Sequence, residues 1–265
     1  MTSLPAPSWI VGCGKMAGAM VEGWRRAGVD LSEITAIRPS GTPVEGVRTV
    51  TSLPPGNPAF VLLGVKPQKL DEVAPELAKR LNSNTILVSI LAGVELASLR
   101  HRFPAAGHIL RAMPNLPVSE GRGIVAIFDG QSHDARSVTD DLFAPLGNVV
   151  RTESEADLAA IGSLAGAGPA YVARFIAALA KAGVDRGLDP ALADQLALGT
   201  VLGTATMAAA RGESMASIAR RVASPNGTTE AGLVILDAEL DRLVGQTLQA
   251  ASRRGAELAD AARIE

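Results

Sequence analysis

The sequence predicts an α/β chain in two parts: a parallel sheet covered by helices over residues 1–152, then an all-helical part over residues 153–265. Three observations carry this reading. Short apolar runs alternate with helical periodicity as far as Arg151. A glycine-rich turn joins the first apolar run to the first helix. Beyond Glu153 the apolar residues recur only at helical spacing.

In the first part, Trp9–Val11, Ile34–Ile37 and Val47–Val50 read as strands, with a helix from Lys15 to about Ala27 between the first two. Phe60–Val65 and Thr85–Ile90 are continuous apolar runs, as expected of strands covered on both faces. His108–Ala112 and Gly123–Phe128 are further candidates, and Gln68–Leu81 and Glu95–Arg102 have helical periodicity. In the second part, helices are predicted over Glu155–Leu164, Ala170–Arg186, Pro190–Arg211, Met215–Val222, Thr228–Ala238 and Asp241–Ile264. Gly187 and Gly212 stand where helices end, and Pro190 follows Asp189 as a first-turn proline follows its cap.

Composition narrows the function classes. The 265 residues suit one large or two modest domains, and 47% apolar content is enough for a sizeable core. A net charge of −2 with both signs scattered leaves no basic stripe for nucleic acid. The single cysteine, Cys13, excludes an intrachain disulfide and a cysteine zinc site, and suits a reducing cytoplasm. Met1–Ser8 carries no basic leader, and the uncharged stretch Gln195–Ala210 falls short of the roughly 20 residues a membrane span needs. A soluble, cytoplasmic protein is expected.

Gly12-Cys13-Gly14-Lys15-Met16-Ala17 has the spacing of a dinucleotide-binding turn. Gly12 permits the sharp turn, Gly14 lets a pyrophosphate approach the backbone, Ala17 keeps the helix close to the sheet, and the helix N-terminus offers N–H groups to the anion. The turn predicts a Rossmann-type domain. At the tip of the second strand, where a diol-binding acid would mark NAD, the chain has Arg38-Pro39-Ser40. Arg38 and Ser40 are suited to the 2′-phosphate of NADPH, with NADH a weaker alternative. Val65-Lys66-Pro67 ends another strand, and Lys66 either faces the cofactor cleft or merely opens a helix. Ala92 and Gly93, and then Met113, Pro114 and Asn115, end two more strands and complete the candidate cofactor set.

In the helical part, Ser224-Pro225-Asn226-Gly227-Thr228-Thr229 leads into a helix. Its N–H groups at Gly227, Thr228 and Thr229 form a candidate carboxylate site, against which an ordinary capped turn must be weighed. His101, His108 and His133 lie in separate segments with no metal-ligand spacing, so no metal is expected.

These strings, together with Ser89-Ile90-Leu91-Ala92-Gly93, Arg111-Ala112-Met113-Pro114-Asn115 and Gly166-Ala167-Gly168-Pro169-Ala170-Tyr171, resemble those of pyrroline-5-carboxylate reductases in order and spacing over nearly the whole chain. The resemblance implies an NADPH-dependent reduction of the cyclic imine to L-proline, the last step of proline biosynthesis. It implies that the helical part dimerises, and that dimers can assemble into a larger ring. Substrate would be held by Ser224, Asn226, Gly227, Thr228 and Thr229, with Thr229 and Lys66 as candidate catalytic residues. The chain departs from the family pattern where Ala165 and Ala167 replace two serines and Asn226 replaces a glycine. Asn tolerates the left-handed conformation such a turn needs. Other readings are a β-hydroxyacid dehydrogenase-like enzyme, a related cyclic-imine reductase, or a silent dinucleotide sensor. The first of these would need a lysine in the helical part, where Lys181 stands alone.

Overall fold

A computed structural model describes residues 4–130 and 136–262. The chain divides into two compact units, one of Met1–Ala167 with Ala251–Glu265 and the other of Gly168–Ala250. His133 and the end of the predicted helix Asp241–Ile264 lie outside the described residues.

The first unit is built on an eight-stranded sheet ordered β3-β2-β1-β4-β5-β6-β7-β8. The strands are β1 Ser8–Val11, β2 Ile34–Ile37, β3 Arg48–Val50, β4 Phe60–Leu63, β5 Ile86–Ser89, β6 His108–Pro114, β7 Gly123–Phe128 and β8 Gly147–Arg151. The six strands β1 to β6 are parallel, and β1 and β4 pair in register from Ser8 beside Phe60 to Val11 beside Leu63. Alternation along each strand sends its side chains to two separate cores. Ile10, Leu62, Val88 and Leu110 pack on one face with Met20 and Trp24 of helix α1, Lys15–Arg26. Trp9, Val61, Leu63 and Leu87 pack on the other with residues of α2, Leu70–Ala78, and α3, Leu96–Arg102. Both faces are apolar because both are covered.

Helix α1 buries Ala17, Met20, Val21 and Trp24, the spacing of one helical face. The Trp24 indole N–H donates to the Leu142 carbonyl at 2.8 Å in α4, Arg136–Phe143. Just past the helix, Gly28 has φ +73°, a left-handed conformation that stops the helix.

The far edge of the sheet departs from the expected parallel pattern. β7 runs antiparallel to β6, and β8 is parallel to β7. Only Asn115–Arg122 separates β6 from β7, and it folds as a 3₁₀ turn over Leu116–Glu120. A parallel return needs a crossover of a dozen or more residues, so this link permits only reversal. β8 has no alternating pattern in Gly147-Asn148-Val149-Val150-Arg151 and is half-exposed at the sheet edge.

Past the sheet come α5, Glu155–Ile161, a π turn over Gly162–Gly166, and α6, Gly168–Val184. Among the described residues the run Glu155–Val184 is long and apolar enough to cross a membrane by length and composition alone. The remaining helices are α7 Pro190–Arg211, α8 Met215–Val222 and α9 Thr228–Ala262. The two helices expected over residues 228–264 are thus one. No glycine or proline falls between Ala238 and Asp241, and Arg242 pairs with Glu239 across the expected break. Within the second unit α6 and α7 meet through Ile176, Ala180, Ala193 and Ala197, a very small core.

Candidate functional site

The sheet order reverses between β1 and β4, and in open α/β sheets ligands bind beyond the strand ends at such a point. Gly12 leaves β1 with φ +85°, and its N–H donates to the Ile37 carbonyl at 3.1 Å. A Cβ on Gly12 would stand 2.6 Å from the Val65 amide nitrogen, so both conformation and space demand glycine. Gly64 is as tightly placed, 2.8 Å from the Gly12 carbonyl oxygen by the same construction. Gly14 differs: a Cβ there would meet nothing within 4 Å. It is the cap of α1, has no side chain to offer the helix, and no acid occupies the first turn. By helix geometry the N–H groups of Lys15, Met16 and Ala17 lack acceptors within the helix. Backbone donors, open space and no negative charge together fit a pyrophosphate.

Cys13 is buried beneath this turn, and burial raises its thiol pKa against the opposing influence of the Arg38 guanidinium. Arg38 is half-buried at the end of β2, and its Nη1 donates to the Thr42 carbonyl at 3.0 Å. The exposed Ser40 hydroxyl lies 3.0 Å from that of Thr42. The two side chains therefore converge on one short turn, closed by Gly41 donating to the Arg38 carbonyl at 2.9 Å.

On the other half of the sheet, Lys66 is exposed and extended, and it opens the 3₁₀ turn Pro67–Lys69 with Val65 just before it. Ala92 is exposed after β5, whereas Gly93, at φ +78°, backs onto the end of α9. A Cβ on Gly93 would stand 2.9 Å from the Ala259 nitrogen, which leaves that face of Gly93 filled by protein.

The end of β6 is anchored twice. Buried Arg111 pairs with Glu155, the first residue of α5, whose other oxygen accepts the Leu96 N–H at 2.7 Å. Burial pushes the Arg111 pKa down to about 10, with Glu95 opposing the shift, so the guanidinium stays charged at neutral pH. Asn115 is buried: its Nδ2 donates to the Ala165 carbonyl at 3.0 Å, and its Oδ1 accepts the Ile124 N–H at 2.8 Å. Its amide thus holds the π turn and β7, a scaffold role that its place in the candidate cofactor set did not anticipate. Met113 packs on Gly162 of that turn, and Pro114 is buried at the strand end. The sequence does not reveal these partners of Glu155, because an acid opening a helix reads as ordinary first-turn charge.

In the second unit, Asn226 takes φ 57°, the left-handed conformation expected for the residue replacing glycine. A Cβ on Gly227 would overlap the Ser224 hydroxyl. The Gly227 N–H donates to the Ser224 carbonyl at 2.9 Å, so that donor is already used, and the Asn226 N–H is taken by Glu230 at 2.7 Å. The donors left at the start of α9 are those of Thr228, Thr229 and Glu230. Among the described residues neither threonine hydroxyl makes a hydrogen bond, so neither caps the helix. Lys181 is exposed and paired with Asp185 at 2.7 Å, a surface role.

Two family models match the chain: one described as pyrroline-5-carboxylate reductase dimerisation over residues 155–258, the other as NADP oxidoreductase coenzyme F420-dependent over residues 9–93. A pyrroline-5-carboxylate reductase of Synechocystis is 42% identical over 201 residues, 75% of this chain and 74% of that protein. One of Pseudomonas aeruginosa is 33% identical over 261 residues, 94% and 96% of the two chains. Among solved structures, that of a Coxiella burnetii pyrroline-5-carboxylate reductase superposes with a TM-score of 0.86 at 30% identity, over 96% of this chain and 99% of that one. A Plasmodium falciparum pyrroline carboxylate reductase, solved with NADP bound, also superposes at 0.86 over 97% and 99%, at 23% identity.

Proposed function

This chain belongs to the pyrroline-5-carboxylate reductase family, and we propose that it reduces L-1-pyrroline-5-carboxylate to L-proline with NADPH. The observation that carries the reading is that one chain holds both an open pyrophosphate cradle at Gly12–Ala17 and a second helix start at Thr228–Thr229 with backbone donors to spare. In functional terms residues 1–152 bind the dinucleotide, and residues 153–265 dimerise and bind substrate. Dimers assemble further into a ring, and the enzyme works in the cytoplasm.

The nicotinamide dinucleotide, when bound, supplies the hydride. Gly12, Gly14 and the N–H groups of Lys15, Met16 and Ala17 hold its pyrophosphate. Arg38 and Ser40 hold the 2′-phosphate and thereby favour NADPH over NADH. Val65, Lys66, Pro67, Ala92, Gly93, Met113 and Pro114 line the strand ends beside it, with Asn115 supporting from behind.

The Thr228 and Thr229 N–H groups hold the substrate carboxylate, on a turn shaped by Ser224, Asn226 and Gly227. The Thr229 hydroxyl hydrogen-bonds the ring nitrogen. A protonated imine already carries the proton that ends on the proline nitrogen, so orientation supplies most of the catalysis and no strong acid is required. Lys66, exposed at the cleft edge, adds positive charge near an anionic substrate. The engagement of Lys181 with Asp185 weighs against a hydroxyacid dehydrogenase.

The test is NADPH oxidation with pyrroline-5-carboxylate and, in parallel, NADP reduction with β-hydroxyacids. Turnover of the imine alone is expected. Binding of NADPH without turnover of either substrate would make the protein a sensor and overturn the assignment.

A further inference from the structure

One side chain ties together the start of α3, the middle of β6 and the start of α5. Glu155 uses Oε1 to accept the N–H of Leu96, three residues beyond Gly93, and Oε2 to pair with Arg111, two residues before Met113. Ser89 and Arg111 are register partners on adjacent strands, so β5 ends beside Arg111 while β6 runs on to Pro114 against β7. The Arg111 side chain is 8% exposed and that of Glu155 31%, so the pair is partly sheltered from water.

The two halves of such a sheet divide the dinucleotide between them. Arg38 marks the β1–β3 half as the adenosine side, which leaves β4–β6 for the nicotinamide. Both segments that Glu155 holds belong to that second half. We propose that Glu155 is a positioning residue for the nicotinamide half of the cofactor site, acting through Leu96 and Arg111. This rests on the dinucleotide reading above.

Two ligands separate this role from general stability: NADPH, which spans both halves, and adenosine 2′,5′-bisphosphate, which occupies only the adenosine side. Glu155→Gln keeps an acceptor for Leu96 but removes the charge opposite Arg111. The double variant Arg111→Met/Glu155→Leu replaces the pair with apolar groups of similar size and keeps the fold if the single variant does not. Both should raise the NADPH Kd and lower kcat by about fivefold or more, while the bisphosphate Kd stays within about twofold of wild type. If the two Kd values rise together, or both stay at wild type while only Tm falls, Glu155 is scaffold and the proposal is overturned. A double variant with wild-type NADPH affinity also overturns it. Wild-type protein that binds neither ligand would instead remove the dinucleotide reading itself.

Discussion

The main chain of Gly12 rests directly on Val65: a methyl group on Gly12 would lie 2.6 Å from both the Val65 amide nitrogen and its Cγ1. The segments leaving β1 and β4 therefore run at contact distance where the sheet order reverses. Gly12→Ala should cost about 3 kcal/mol or more, the sum of a left-handed non-glycine residue and steric overlap. Gly14→Ala meets no such obstacle and should fold with at most a small fall in Tm, from the poorer helix cap, yet lose about tenfold or more in NADPH affinity, because its methyl enters the space proposed for the pyrophosphate. Thermal melts paired with cofactor titration separate the two. Wild-type NADPH affinity in Gly14→Ala would remove the cradle from the proposal.

Arg38 and Ser40 present a cation and a hydroxyl where a diol-binding acid is absent. Arg38→Asp should erode or reverse the proposed preference for NADPH, since it replaces the proposed phosphate partner with a repelling charge. The ratio of kcat/KM for NADPH and NADH measures this directly, and an unchanged ratio would sink the assignment.

Asn115 satisfies the Ala165 carbonyl and the Ile124 N–H from one buried amide. Asn115→Ala should destabilise the protein by about 2–3 kcal/mol, because two main-chain groups lose their partner. Asn115→Asp should do little better, since it turns a second acceptor toward Ala165. Urea unfolding gives both values, and an Asn115→Asp variant as stable as wild type would refute this account.

The second unit leaves Leu202 64% and Ile235 70% exposed, while its own core holds three buried alanines. Such a unit is too thinly packed to stand alone, and its apolar helices suit an obligate interface. Leu202→Glu and Ile235→Glu should shift the protein toward monomer or aggregate in light scattering, with loss of activity. An active, well-folded wild-type monomer at micromolar concentration would rule the interface out.

Among the described residues the Thr229 hydroxyl makes no hydrogen bond. Thr229→Ala should lower kcat/KM for the imine about tenfold or more, on the order of 1.4 kcal/mol, with NADPH affinity near wild type. Thr229→Ser should recover most of the loss. Normal turnover with reduced Tm in Thr229→Ala would make the residue purely structural.

Local signals in the sequence determined much of this protein. β2, β7, α7 and α8 begin and end at the residues where apolar period, proline and glycine place them. The dinucleotide turn follows from glycine spacing, and the left-handed Asn226 from that residue's tolerance of positive φ. Tertiary structure decided what depends on distant partners. The reversal of β7 and the pairing of β8 follow from a short link and a sheet edge that β8's own pattern does not reveal. Arg111 finds Glu155 across 44 positions and Asn115 finds Ala165 across 50, separations over which no periodicity runs. Even within six residues, the Gly227 donor is used by Ser224 because the left-handed turn closes on itself. Periodicity reports which face of an element is covered, but a hydrogen bond depends on which group covers it, and that is settled only when the chain has packed.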